Sequence, residues 1–282
     1  MEKIKSSFDH FFFDQISMAS MKYCRFILGA CLFVFYLSIF SELDQAFGVH
    51  GILGHDFFNI FPQALTYRPR LSTFHFLQGV SSPLLIFILY ILLIVSSGCF
   101  ATGYRTKVSG IICLILHSVF HARNEYMFWG WGELIKPFIL YVILSDSNKP
   151  TGIAWPVRLL QFNVCSMYFI TATARIHDQP WIDGSIMQEI LQSTVFSRFT
   201  PTPVLLVGIL KFTGWISWLL ELVAPFLLWF KKTGPSIALA LIAMHLGLEV
   251  FTLVGWWNFV MIGALLTFLP DNLPAKWFKS LV

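Results

Sequence analysis

Eight apolar runs follow one another along this 282-residue chain, at 23–41, 83–101, 108–121, 133–145, 155–174, 204–230, 235–254 and 256–269. A helix needs about 20 predominantly apolar residues to cross a bilayer, and backbone amides in hydrocarbon must find partners within the protein. The spacing therefore predicts an all-α polytopic integral membrane helical bundle with about eight transmembrane helices. The stretch from Pro235 to Pro270 is too long for one crossing at about 1.5 Å per residue, so Gly255, followed by Trp256 and Trp257, is expected to turn at the interface. Runs 108–121 and 133–145 are short, and the segment from His121 to Glu133 is expected to dip to membrane depth inside the bundle.

Composition narrows the classes further. Hydrophobic residues make up 56% and charged residues 12%, against about 45–50% and about 25% in soluble domains. That excludes an ordinary soluble enzyme, a disordered chain and a disulfide-stapled secreted domain. The net charge of +4 comes from basic residues scattered over short loops, which form no stripe for nucleic acid. Cys24, Cys31, Cys99, Cys113 and Cys165 sit in or at the ends of apolar runs and read as small buried hydrophobes. No cleavable signal pattern is visible. Instead Phe8, Phe11, Phe12, Phe13 and Ile16 recur among polar residues, which predicts an interfacial segment over 1–22, a transmembrane domain over 23–270 and a cytoplasmic tail over 271–282.

Basic residues in short loops set orientation. With the N-terminus inside, twelve fall on the cytoplasmic side: Lys3, Lys5, Lys22, Arg25, Arg105, Lys107, Lys149, Arg158, Lys231, Lys232, Lys276 and Lys279. Five fall outside, Arg68, Arg70, Arg123, Arg175 and Arg198, while Lys136 and Lys211 lie within runs. Both termini are thus expected in the cytoplasm, and the irregular polar stretches Glu42–Ser82, His121–Glu133 and Arg175–Pro203 on the outer face.

Charged groups in or beside such runs are costly in lipid, so they pair or line a cavity. HARNEYMFWGWGE sets His121, Arg123, Asn124, Glu125 and Glu133 together; Arg123 is expected to pair with Glu125 or Glu133, as a clasp between helix ends or one wall of a polar pocket. His117 and His121 share a helix face at i, i+4, but two ligands make no site and no metal is expected. His50 and His55 read as turn-region histidines. Tyr168, Thr171 and Arg175 share a face that packs inward, or else Arg175 snorkels to the outer headgroups. Glu221, His245 and Glu249 are intramembrane ionisable groups, the last two four residues apart and expected to hydrogen-bond. Nucleophile elbow, HExxH, Walker and dinucleotide patterns are absent.

In order, YCRFILG, GYRTK, RNEYMFWGWGE and RLLQFNVCSMYFITATARIHDQPWIDGSIM, followed by ELVAPFLLW and MHLGLEVFTLV, resemble the HTTM membrane domain. That module is shared by vitamin K-dependent gamma-carboxylases and many bacterial membrane proteins. The most specific part runs from Tyr168 to Gly184. In the carboxylases the resemblance implies a lysine, near the outer end of the corresponding helix, as the base that deprotonates reduced vitamin K. Arg175 stands at that position. A guanidinium stays protonated and offers no acceptor, so gamma-carboxylase activity is not expected here.

Among compact bacterial members, the chain resembles the B components of sporulation-delaying-protein systems, which with a small partner mature a secreted toxin peptide. The resemblance implies a bacterial plasma-membrane protein acting at the extracytoplasmic face in maturation of a toxin or antimicrobial peptide. Its partners would be the precursor peptide, a small membrane-associated protein and the lipid bilayer, with no nucleic acid. On that reading Arg175, Glu125, Glu133 and His121 carry the chemistry, and Glu42, Arg123, Asn124, Tyr168, Trp181 and Asp183 bind substrate. Two other readings stand beside it. One is a carboxylase-like or otherwise quinone-linked membrane enzyme, with a hydrophobic quinone as cofactor and Glu221, His245 or Glu249 as acid or base. The other is a non-catalytic partner subunit.

Overall fold

The computed structural model describes residues 2–48, 51, 80, 82–128, 130–199 and 207–274. His50, His55, Arg68 and Arg70, most of the Glu42–Ser82 loop, and residues 275–282 of the expected tail lie outside these. In chain order the helices are α1 (Glu2–Phe13), α2 (Ala19–Ser38), α3 (Leu43–Phe47), α4 (Pro83–Thr102), α5 (Thr106–Arg123), α6 (Trp131–Leu144), α7 (Trp155–Ala174), α8 (Gln179–Ile182), α9 (Ile186–Gln192), α10 (Val207–Leu227), α11 (Gly234–Phe251) and α12 (Trp257–Leu265). Two three-residue strands, β1 (Gln15–Ser17) and β2 (Thr151–Ile153), form one antiparallel pair with Gln15 opposite Ile153. Each of the eight apolar runs coincides with a helix. Among the described residues four helices are long and apolar enough to cross a membrane: Ala19–Ser38, Pro83–Thr102, Gly208–Leu227 and Gly234–Phe251.

The chain divides into two compact units, residues 25–148 and residues 1–24 with 149–282. In the 25–148 unit, α4 packs on α5 and α5 on α6. Helix α4 starts at Pro83, with the Ser82 hydroxyl accepting from the Leu85 amide at 3.4 Å, and stops at Gly103 with φ 86°. Proline tolerates the first turn and glycine the left-handed cap, so the boundaries are written locally. Gly29 lets α2 approach α4: a Cβ there would stand 2.6 Å from the Ala101 backbone, a small-residue contact of the kind membrane helices use. The core is aromatic, with Tyr36, Phe47, Tyr90, Phe120, Phe128 and Trp131 fully buried.

Arg25, in the first apolar run, is buried within α2, where Nη1 donates to the Ser147 carbonyl at 3.3 Å and to Asn148 Oδ1. Asn148 in turn donates to the Gly103 carbonyl at 3.1 Å and accepts from Thr106 at 3.0 Å. A buried guanidinium requires such partners, and here they join the two turns at one end of the unit.

In the other unit α1 lies against α7. Phe11 and Phe12 pack on Phe162, Phe11 also meets Trp229, and the Arg158 guanidinium sits 4.6 Å over the Phe11 ring. Phe8 and Phe13 stay exposed, which leaves α1 an apolar outer stripe. Helix α7 packs on α10, α9 on α10, and α11 on α12. Between α11 and α12 the chain turns at Gly255 with φ 76°, as the pattern predicts. The stretch leading into that turn pairs with the one after α9: the Leu253 amide donates to the Phe196 carbonyl at 2.7 Å and Arg198 to Phe251 at 3.1 Å.

Candidate functional site

In the unit built from 1–24 and 149–282, the polar face of α7 meets partners on three later helices. Arg175, just past the end of α7, forms an ion pair with Glu221 of α10. The same guanidinium stacks 3.9 Å from the centre of the Trp181 ring on α8. The two side chains are 26% and 10% exposed, so the charge that lipid would reject is neutralised inside the protein. Two α10 tryptophans fix the neighbouring backbone: Trp218 donates to the Ala172 carbonyl at 2.9 Å and Trp215 to Ile182 at 3.1 Å. Asp183 follows on the exposed α8–α9 turn, where Gly184 has φ 78°. The Ser185 amide, 2.8 Å from its carboxylate, holds Asp183 below the usual carboxylate range.

Two turns further into α7, Tyr168 opens a chain of hydrogen bonds. Its hydroxyl lies 2.9 Å from His245 Nε2, and His245 Nδ1 lies 3.0 Å from Asn258 Oδ1. Asn258 Nδ2 donates to Glu249 at 3.1 Å, and Arg198 Nη2 closes the line on Glu249 at 2.7 Å. An amide oxygen only accepts, so His245 carries its proton on Nδ1 and Tyr168 donates to Nε2. Tyr168, His245 and Asn258 are all buried. The expected direct bond between His245 and Glu249 is thus replaced by a bridge through Asn258, because Asn258 projects from α12 between them. Sequence reasoning passed over Asn258, although a lone amide in the apolar run WWNFVMIG was the available signal.

In the 25–148 unit the second cluster lies at the end of α5 and the start of α6. Glu133 does not join Arg123; it takes Lys136 at 2.9 Å, one turn along α6, and His121 Nδ1 at 3.3 Å. Lys136 also approaches His121 at 3.4 Å. Arg123 Nε donates to the Phe47 carbonyl and Nη1 to Val80 at 3.4 Å. Asn124 Nδ2 donates to Ala46 at 2.9 Å, while its buried Oδ1 has no hydrogen-bond partner among the described residues. Arg123 and Asn124 therefore tie the end of α5 to α3, whose free carbonyls are close by. Glu125 begins a 3-10 turn ending at Met127, and Glu42 is exposed just before α3. His117 receives the Tyr36 hydroxyl on Nδ1 and donates Nε2 to the Gly132 carbonyl, both at 2.9 Å. Both ring nitrogens are committed, so the face shared with His121 presents no paired ligands. No group of three His, Cys, Asp or Glu side chains among the described residues could hold a metal ion.

Glu42, His121, Arg123, Asn124, Glu125 and Glu133 belong to the 25–148 unit, and Tyr168, Arg175, Trp181, Asp183, Glu221, His245 and Glu249 to the other. No curated protein and no solved structure matches the chain. The model of the HTTM domain matches residues 141–273. That stretch contains the whole Tyr168–Gly184 signature, Glu221, His245 and Glu249, while YCRFILG, GYRTK and RNEYMFWGWGE precede it. Residues 141–273 are thus similar to an HTTM domain, and the long apolar helices are those of an integral membrane protein.

Proposed function

We propose that this HTTM-like protein acts at the extracytoplasmic face of a bacterial plasma membrane, in maturation of a secreted toxin or antimicrobial peptide. The site is the cluster of Arg175, Glu221, Trp181 and Asp183, with Tyr168 behind it. The observation that carries this reading is the Arg175–Glu221 pair stacked under Trp181 at the end of an apolar helix. It sets a fixed cation, a carboxylate and an aromatic plane where an extended peptide has backbone and side-chain groups to match. Arg175 acts as a binding and orienting group, since it is always charged and already paired. Trp181 and Asp183 line the approach, and His121, Glu125 and Glu133, with Glu42, Arg123 and Asn124, form the outer polar cluster of the 25–148 unit.

The topology we propose has about eight crossings over 23–270, an interfacial segment over 1–22 and both termini in the cytoplasm. The asymmetry of Lys and Arg supports that orientation. The precursor peptide and a small membrane partner are the proposed ligands. Deleting the protein is expected to stop conversion of the exported precursor while leaving export intact; normal maturation without it contradicts the proposal.

A second reading, a quinone-linked enzyme, is favoured by one observation: the Tyr168 hydroxyl is hydrogen-bonded to a buried histidine whose other nitrogen is pinned. Such a pair can pass a proton to or from a small molecule reaching Tyr168. The carboxylase base position does not fit that chemistry, since Arg175 has no acceptor and is held by Glu221. Organic extraction of the purified protein separates the two readings: a bound quinone supports the second, and its absence counts against it.

A further inference from the structure

Arg25 is a buried cation whose partners carry no charge. Its Nη1 faces the Ser147 carbonyl at 3.3 Å, the Ser147 hydroxyl at 3.4 Å and Asn148 Oδ1, while Nε is buried with no hydrogen-bond partner among the described residues. Neutral dipoles offset only part of the cost of burying a guanidinium, and a counter-charge is the usual remedy. The neighbouring helices supply none. No Asp or Glu occurs between Asp14 and Glu42 or between Asp56 and Glu125, so α2, α4 and α5 carry no carboxylate. Asp146 adjoins Ser147 in the chain, yet Arg25 bonds to Ser147 and Asn148 instead.

The guanidinium reaches the turn where α4 gives way to α5. A Cβ on Gly103 would collide with Nη2 and with the guanidinium carbon, so glycine keeps that approach open. Asn148 Oδ1 accepts from both Arg25 and Thr106, the first residue of α5, which sets the cation within one side chain of that helix start. The 18-residue helix begins after Arg105 with no side-chain cap and no acidic residue in its first turn. Its leading amides and the positive end of its dipole are therefore left to an anion. Arg105 and Lys107 are exposed on the same turn, and so are Tyr104 and Val108. Cations interleaved with an aromatic and an apolar side chain, at the end of a helix long enough to cross a membrane, match the headgroup layer of a bilayer.

We propose that the α4–α5 turn is a binding site for a phosphate oxyanion, with Arg25, the first turn of α5, Arg105 and Lys107 as its positive wall. The inference is independent of the peptide-maturation reading. Two sources present that group, the headgroup of an anionic phospholipid and free inorganic phosphate, and the test separates them. The full chain is reconstituted in nanodiscs of phosphatidylglycerol and phosphatidylcholine and released for native mass spectrometry. In parallel, the lipid-stripped chain in detergent is unfolded by heat in inorganic phosphate or in chloride at equal ionic strength. The unaltered protein is expected to retain phosphatidylglycerol in preference to phosphatidylcholine. Arg105→Gln combined with Lys107→Gln, which changes exposed side chains only, should cut that retention about tenfold. Lys231→Gln combined with Lys232→Gln, an exposed basic pair ahead of α11, should leave it unchanged. Arg25→Gln should abolish it, and if that variant fails to accumulate the Arg105 and Lys107 pair decides. If free phosphate is the source, lipid retention is unselective, but phosphate raises the unfolding midpoint above its value in chloride, and the Arg105 and Lys107 pair removes the rise. Unselective lipid retention with no phosphate-specific rise overturns the proposal, as does an equal loss in the two basic-pair variants.

Discussion

Arg175 and Glu221 are joined as an ion pair between the end of α7 and the middle of α10, under the face of Trp181. Neither group is tolerable alone at membrane depth, so each makes the other's position possible. Removing the carboxylate with Glu221→Ala leaves an uncompensated guanidinium. Because Arg175 remains about a quarter exposed, the loss should fall at the low end for buried pairs, about 3 kcal/mol. Thermal unfolding in detergent should show a clear drop in midpoint, and an unchanged midpoint contradicts the pairing.

Tyr168 and His245 share one hydrogen bond, and His245 is held from behind by Asn258. Tyr168→Phe strands an acceptor and Asn258→Ala strands a donor, each costing about 1–3 kcal/mol. The two changes act on one imidazole, so a double-mutant cycle should give a coupling of about 0.5–2 kcal/mol. Strict additivity would show that the three side chains do not form one network.

Glycines at two buried-looking positions should behave oppositely. At Gly132 a Cβ would stand 2.3 Å from the His121 ring and 2.6 Å from Phe128 Cβ, so Gly132→Ala should destabilise by about 1–3 kcal/mol. At Gly247, facing open space, Gly247→Ala should be neutral or stabilise by up to about 1 kcal/mol through helix propensity. Unfolding midpoints of the pair give the comparison, and the same sign for both would refute it.

Arg25 is expected to anchor its end of the 25–148 unit through Ser147 and Asn148. Arg25→Ala should lower stability by about 2–3 kcal/mol, the range of hydrogen bonds to charged groups plus stranded partners. Arg25→Lys should recover little, because one ammonium cannot reproduce the planar fork. Full rescue by lysine would argue that charge alone matters.

The helices were legible because their cause is local: length, apolarity, Pro83 and Pro156 at helix starts, and Gly103 and Gly255 at turns. The β1–β2 ladder was not, since three residues carry no usable period and the pairing depends on tertiary approach. The site was legible in its members and not in its pairs. Arg175 and Glu221 stand 46 residues apart, and no spacing rule relates them. Where spacing did suggest a pair, as for His245 and Glu249, a third residue from another helix intervened. Glu133 likewise chose Lys136, one turn away on its own helix, over the more distant Arg123.

The central claim is that the Arg175 site serves peptide maturation, and one experiment addresses it most directly. Cells carrying Arg175→Ala or Arg175→Lys are scored for mature peptide by mass spectrometry, with the level of each variant protein measured alongside. The account predicts that both variants accumulate but that maturation fails in Arg175→Ala and is strongly reduced in Arg175→Lys, which keeps the charge without the fork. Normal maturation in both variants would contradict it and leave Arg175 as a structural ion-pair partner of Glu221.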